Sequence, residues 1–384
     1  MSATYDVVVV GLGAMGSATC YHLANRQQRV LGLEQFGIPH SLGSYHGHSR
    51  MIRMAYCEHP DYVPLARRAY ALWHELEERS GRKLLDQTGG LYMGATESRL
   101  VAGSLQASRE HSLDYDLLDR RQIAAQYPQF QLPDHYAGFW DPHAGLLRSE
   151  LAVATHAEYA MRSGAELHGH EPVVRWTTCG TGVRLTTPKA EYQAGRVVFC
   201  GGAWSGRLIS DLGVSLKVTR QVLGWLWPRE PAQFELGKLP VWAVEDEKGN
   251  FYYGFPMMTG SLGLKVAHHW QAAETDPDRV IREPIEGDED DFRPAIRRFV
   301  PGADGPLLSL AVCLYTNTPD GHFVVDRHPQ FDNVAIACGF SGHGFKFAGV
   351  IGEALADLAI EGETSLPVDF LRLKRFDEGA RGTE

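Results

Sequence analysis

Gly11-Leu12-Gly13-Ala14-Met15-Gly16, with Glu34 about 20 residues further on, is the first set of residues whose types and spacing specify chemistry. In Gly11-x-Gly13-x-x-Gly16 the first glycine permits a tight turn, the second lets backbone approach a pyrophosphate, and the third allows close packing of the following helix. The N-terminus of that helix offers amide donors and partial positive charge. Glu34 suits ribose hydroxyls, and an acid there disfavours a 2′-phosphate. The turn does not separate NAD from FAD, because both present an ADP half to it. Position favours FAD: the motif opens the chain, and a strand, glycine turn and helix return near its other end, as a long cofactor held by both ends would require.

Other reactive residue types are scattered. The six cysteines, Cys20, Cys57, Cys179, Cys200, Cys313 and Cys338, contain no CxxC pair, so neither a zinc knuckle nor a thioredoxin-like motif is present and reduced thiols are expected. His46 and His48 have no acidic partner at metal spacing, and His268 beside His269 reads as a packing pair, so no catalytic metal is expected.

These residues need a scaffold. With 384 residues, 44% hydrophobic and 22% charged, the chain has the composition of a globular protein and the length of two domains. No apolar run approaches the ~20 residues of a membrane span. The 37 Lys+Arg against 47 Asp+Glu argue against a general nucleic-acid or anionic-membrane surface. The chain opens with an acid-containing strand instead of a basic segment and long apolar core, and Gly382-Thr383-Glu384 is no peroxisomal tripeptide, so the cytoplasm is expected.

Val7-Val8-Val9-Val10 is an apolar, β-branched run suited to a buried parallel strand, leading through the glycines into a helix ending near Asn25 and a second strand at 29–33. Asp61 and Pro64, with Ala69, Leu72, Trp73 and Leu76 at helical spacing, predict a helix capped by Asp61 and stopped at Gly81. Ser149 is expected to cap another, its apolar side carrying Leu151, Ala154, Ala157 and Met161, before a strand at 165–168. Strands at 183–186 and 191–193 read as a hairpin feeding a separate buried strand at 196–200 and the turn Gly201-Gly202-Ala203-Trp204. A third such unit runs from 333–338 through Gly339-Phe340-Ser341-Gly342-His343-Gly344 to a helix carrying Phe347, Ile351, Ala354 and Leu358. The intervening segments are richer in aromatics, prolines and strand-like alternation. The expected organisation is α/β: a discontinuous nucleotide domain of residues 1–81, 145–215 and 319–384, with an α+β substrate domain of residues 82–144 and 216–318.

Three further stretches make the chain specific: Tyr45-His46-Gly47-His48-Ser49-Arg50-Met51-Ile52-Arg53, Ala311-Val312-Cys313-Leu314-Tyr315-Thr316-Asn317, and Gly339 through Phe347. With Asp61-Tyr62-Val63-Pro64, Tyr253-Gly254-Phe255-Pro256 and Gly263-Leu264-Lys265, they resemble the monomeric sarcosine oxidase and N-methyltryptophan oxidase family of flavin amine oxidases over nearly the whole chain. The resemblance implies an FAD-binding Rossmann-like domain of the glutathione-reductase/p-hydroxybenzoate-hydroxylase type with an inserted mixed-sheet substrate domain. It implies FAD attached through its 8α-methyl group to the sulfur of Cys313, a substrate carboxylate bound by Arg53 and Lys346, and oxygen activation at Lys265. His46, Arg50, Tyr253, His269 and Tyr315 match family positions around flavin and substrate, while Gly342 and Gly344 would present backbone donors to the flavin. The implied reaction takes a secondary amino acid and oxygen to a primary amino acid, an aldehyde and hydrogen peroxide, in a monomer.

The chain departs from the family at His48, Ala243, residues 257–262, His268 and Gly321, and Ala243, 257–262 and His268 are expected to reshape the pocket. Sarcosine, N-methyltryptophan, pipecolate and other imino acids therefore remain open as substrates. So do a dehydrogenase using another electron acceptor and a non-catalytic flavin-binding protein.

Overall fold

The computed structural model describes residues 4–269 and 272–379; the tripeptide 382–384 weighed above lies outside the described residues. The valine run forms the strand Thr4–Val10, with Val7, Val8 and Val9 fully buried. It pairs in parallel with Val30–Leu33 on one side and Glu191–Phe199 on the other, and Glu191–Phe199 pairs in parallel with Phe331–Cys338. Three strands that each end in a glycine turn, at Gly11, Gly201 and Gly339, thus lie side by side and point the same way. Parallel pairing brings all three turns to one edge of the sheet, where an open α/β sheet binds its ligand.

Glu191–Phe199 is one strand where the sequence suggested a hairpin arm and a separate strand. Its first half alternates in burial and pairs antiparallel with Gly182–Thr186, while its last three residues are fully buried beside Phe331–Cys338. The change in pattern marks a change of neighbours along one strand.

The helices Ala14–Asn25 and Ala348–Ile360 cover the same face of this sheet. A Cβ at Gly352 would come within 2.7 Å of Ala18, so glycine sets how closely they pack. Tyr62–Ser80 ends at Gly81 in the left-handed conformation, as expected, but Asp61 is itself helical and its side chain caps nothing. Ser149 likewise begins its helix, Ser149–Arg162, and Arg148 occupies the cap position. That helix buries Ala152, Val153, Thr155, His156, Ala157 and Ala160, while Leu151 and Met161 of the expected face are 38% and 50% exposed. Small residues allow close approach to Ala14–Asn25, so packing distance outweighs side-chain hydrophobicity here.

The second sheet runs, in order, Leu307–Asn317, Lys217–Leu226, Leu264–His269, Phe251–Gly254, Val241–Glu245, Gly90–Ala95, Tyr136–Asp141 and Asp116–Asp119. It is antiparallel except where Val241–Glu245 meets Gly90–Ala95. Helices Arg99–Glu110, Arg120–Gln126 and Arg293–Phe299 interrupt segments that had read as strand-rich. A short sheet of Arg50–Ile52, Gly145–Leu147 and Leu85–Gln87 carries Arg50 and leads directly to Arg53.

Candidate functional site

A cavity of about 340 Å³ runs along the three glycine turns and is walled by Gly11, Gly13, Glu34, Gly201, Gly339 and Gly342, among others. Gly11 has φ +87°, and a Cβ there would lie 2.4 Å from the Cys200 carbonyl oxygen. A Cβ at Gly16 would lie 1.8 Å from the Gly11 carbonyl oxygen. At Gly13 it would meet only the Tyr45 ring, at 3.7 Å, so the open side there is the cavity itself. The first and third glycines are therefore required by packing and the second leaves room for a ligand, the division of labour a pyrophosphate turn needs. Glu34 is buried, and its carboxylate accepts the Leu12 amide at 2.8 Å and the Phe36 amide at 3.0 Å. Burial raises its pKa, against those amides. Gly342, at φ +81°, would drive a Cβ to 2.2 Å from the Tyr315 ring, and one at Gly344 would meet the Phe340 ring at 2.4 Å. The helix expected to carry Phe347 is preceded by a single 3-10 turn, Phe345–Phe347, and runs over Ala348–Ile360. These residues fit a dinucleotide.

A second cavity, of about 60 Å³, continues from the first: Arg50, Tyr315, Gly342 and Phe345 line both. Arg53, Tyr253, His269, Cys313 and Lys346 complete the expected residues around it, whereas His46 and Lys265 lie outside its wall. Strand alternation explains the gathering. Cys313 and Tyr315, Lys265 and His269, and Tyr253 project from one face of the second sheet, in register with Gln221, Leu223 and Trp225.

The cations are held differently. Arg53 is 4% exposed, lies 4.4 Å over the Tyr56 ring, donates to Cys57 Sγ at 3.2 Å and forms a buried ion pair with Glu58. Burial would raise the Glu58 carboxyl, but Arg53, His343 and Lys346 hold it well below the carboxylate range. Lys346 Nζ donates to the His343 carbonyl at 2.8 Å and the Tyr56 hydroxyl at 3.4 Å. Burial, then Arg53, bring its pKa down to about 7. Lys265 Nζ donates to the carbonyls of Gly47 at 2.8 Å and Ser49 at 2.6 Å, and burial, then Arg50, lower its pKa well below the ordinary value. The Arg50 guanidinium ties the same loop together through the carbonyls of Ser44, His46 and Ser49.

His46 Nε2 donates to the Val312 carbonyl at 3.0 Å, and burial, then Arg50, keep the imidazole neutral with a pKa of about 4. His269 Nδ1 lies 3.0 Å from the Tyr315 hydroxyl, and burial lowers its pKa too. Cys313 is 1% exposed; burial raises its thiol pKa against the pull of Arg50 and Lys265. Among the described residues no group of three His, Cys, Asp or Glu side chains is arranged to hold a metal ion.

Glu58, Tyr56 and His343 were missed by sequence reasoning: Glu58 follows the short apolar stretch Met54 to Cys57 directly before His59, where an acid reads as a solvated charge. None of the positions expected to reshape the pocket, Ala243, 257–262 or His268, lines either cavity. His268 projects from the opposite sheet face, stacked 4.7 Å from Tyr252 and bonded to Asp291 at 3.1 Å. His48 is exposed, at φ +70°.

The sequence profile of the FAD dependent oxidoreductase family, DAO, matches residues 6–358. The chain belongs to this family. The FAD dependent oxidoreductase fold therefore accounts for the mixed sheets, and FAD for the glycine turn that NAD could equally have claimed. Monomeric sarcosine oxidase of Streptomyces avermitilis is 43% identical over 379 residues, 98% of this chain and 99% of that one. N-methyl-L-tryptophan oxidase of Escherichia coli K12 is 33% identical over 373 residues, 97% of this chain and 99% of its own. Among solved structures, NikD, an unusual amino acid oxidase essential for nikkomycin biosynthesis, superposes in its open form with a TM-score of 0.86 at 26% identity, over 97% of this chain and 98% of that one. The resemblance read from the motifs thus extends over nearly the whole chain. No helix among the described residues is long and apolar enough to cross a membrane.

Proposed function

We propose that this flavoprotein oxidises the C–N bond of a secondary amino acid as small as sarcosine, giving a primary amino acid, an aldehyde and hydrogen peroxide. The observation that supports this most is a small cavity, continuous with the cofactor cavity, that presents two buried cations to an anion. Arg53 offers a planar fork to a carboxylate and Lys346 a point charge. With the carboxylate fixed there, Tyr253, Tyr315 and His269 orient the amine end towards the shared wall. FAD, when bound, supplies two-electron oxidation of the C–N bond and passes the electrons to oxygen. Glu34 and the turn at Gly11, Gly13 and Gly16 hold its ADP half, with Gly342 and Gly344 near the ring. Cys313, buried on the sheet face and lining the second cavity, is proposed as the thioether attachment point. Lys265 is proposed to stabilise negative charge developing on oxygen. The imine is hydrolysed by water.

The first sheet with its helices is proposed as the cofactor domain and the second as the substrate domain, in a cytoplasmic monomer. An anaerobic panel tests the function: sarcosine, N-methyltryptophan, pipecolate and an N-methylamine without a carboxylate are each mixed with the holoenzyme. Sarcosine is expected to bleach the flavin fastest and the amine without a carboxylate not at all. Failure of every N-alkyl amino acid would sink the reading.

A further inference from the structure

The charge count of the carboxylate pocket is incomplete until a substrate arrives, and among the described residues Lys346 is the group placed to complete it. Arg53 and Glu58 neutralise one another inside the protein, with side chains 5% and 3% exposed. Lys346, 5% exposed, has a carbonyl and a phenol as partners but, among the described residues, no carboxylate in ion-pair contact. An incoming carboxylate meets a site whose guanidinium is already paired. Two buried carboxylates against a single cation would leave an uncompensated charge, which a protein interior does not tolerate.

We propose that a substrate carboxylate binds here together with one proton, carried on Lys346 Nζ. This rests on the carboxylate-clamp reading above and adds the proton. With a zwitterionic secondary amino acid the proton is that of its own ammonium. One N–H bond breaks on the substrate, one forms on Nζ, and the amine keeps the lone pair that C–N oxidation requires. With a carboxylate that has no amine, the proton comes from solvent.

The groups facing Lys346 leave it as the acceptor. From the segment after Arg50–Ile52 come Arg53, which has no proton to gain, Glu58, held ionised by its ion pair, and Tyr56 and Cys57, whose burial raises both pKa values and keeps them neutral. From the turn before its own comes His343, fixed between the Tyr56 hydroxyl at 2.6 Å and the Gly321 carbonyl at 2.9 Å and kept neutral by burial, with a pKa of about 3. From the second sheet comes His269, also kept neutral by burial. Lys346, brought by burial and Arg53 to about 7, stands near half-protonation at neutral pH, where an arriving negative charge tips it.

Acetate binding to the holoenzyme tests this by calorimetry in two buffers of different ionisation enthalpy. At about pH 8.5 uptake should approach one proton per acetate, and at about pH 6 it should vanish because Nζ is already charged. The dissociation constant should be flat below the Lys346 pKa and rise up to tenfold per pH unit above it. Lys346→Arg, charged throughout, should bind acetate with no uptake at either pH. Acetate bound at high pH without uptake, a flat pH profile, or uptake unchanged in K346R would overturn the proton and leave the clamp standing. No acetate binding at all would overturn both, and flavin bleaching by sarcosine reports on the clamp separately.

Discussion

Two lysines are held by neutral oxygens, Lys265 on the Gly47 and Ser49 carbonyls and Lys346 on the His343 carbonyl and the Tyr56 hydroxyl. A buried ammonium without a carboxylate is costly, and it is retained where negative charge arrives from outside. For Lys265 that charge is the one developing on oxygen. Lys265→Met should slow reoxidation of the reduced flavin by roughly 10²–10³, with anaerobic reduction by sarcosine little changed. Stopped-flow traces of the two half-reactions check this, and the opposite pattern would move Lys265 to the amine step. For Arg53 the charge is the substrate carboxylate: Arg53→Met should raise KM by roughly 10²–10³ through loss of a buried charge-assisted pair. Steady-state kinetics with an unchanged KM would remove Arg53 from the site. Both residues were legible from motif resemblance. Glu58 was not, because a lone acid beside a helix start ordinarily reads as a solvated charge, and only the fold shows it opposite Arg53.

Placement of these side chains is the work of strands and one buried carboxylate. Period-two alternation puts Lys265 and His269 on one sheet face and His268 on the other, so the strand assignment alone decided which histidine could matter. Helix faces were less legible, since Ser149–Arg162 buries small and polar residues that hydrophobicity passes over. The long strand Glu191–Phe199 was divided for a similar reason: its burial pattern changes where its neighbours change, and neighbours are not written locally. Asp141, at the end of Tyr136–Asp141, accepts the amides of Met54 at 2.9 Å, Ala55 at 3.1 Å and His143 at 2.9 Å. It thereby fixes the backbone immediately after Arg53. Asp141→Ala leaves two buried donors and one half-buried donor without their acceptor and should cost about 2–4 kcal/mol of stability, read from the urea midpoint, and should raise KM roughly tenfold by loosening Arg53. Lost stability with an unchanged KM would detach the segment from substrate binding.

At the scale of the molecule, the cofactor cavity exists because three glycine turns from distant parts of the chain end at one sheet edge, and their strands are braced by helices packed behind them. That brace carries a pH liability. His22 on Ala14–Asn25 and His156 on Ser149–Arg162 lie in the helix layer, His156 against Tyr21 at 5.6 Å and Trp73 at 5.4 Å. Burial lowers both pKa values to about 3, with Arg26 adding to the shift at His22 and His22 to that at His156. In the unfolded chain each imidazole titrates near 6.5, so between those values the unfolded state binds more protons and stability must fall as pH drops. By pH 5 each histidine should have removed roughly 2 kcal/mol. His343, held near 3 as well, adds to the slope in wild type and variants alike. His22→Gln with His156→Gln keeps polar, uncharged side chains and should flatten the dependence of the urea midpoint between pH 7 and pH 5. The cofactor cavity is supported by the same helices, so loss of the flavin's protein environment on acidification, read from flavin fluorescence, should follow the same curve in the wild type and shift to lower pH in the double variant. Parallel curves for the two proteins would place the acid-sensitive step elsewhere, at His40 in the cofactor-cavity wall or at the buried His46, both lowered by burial to about 4.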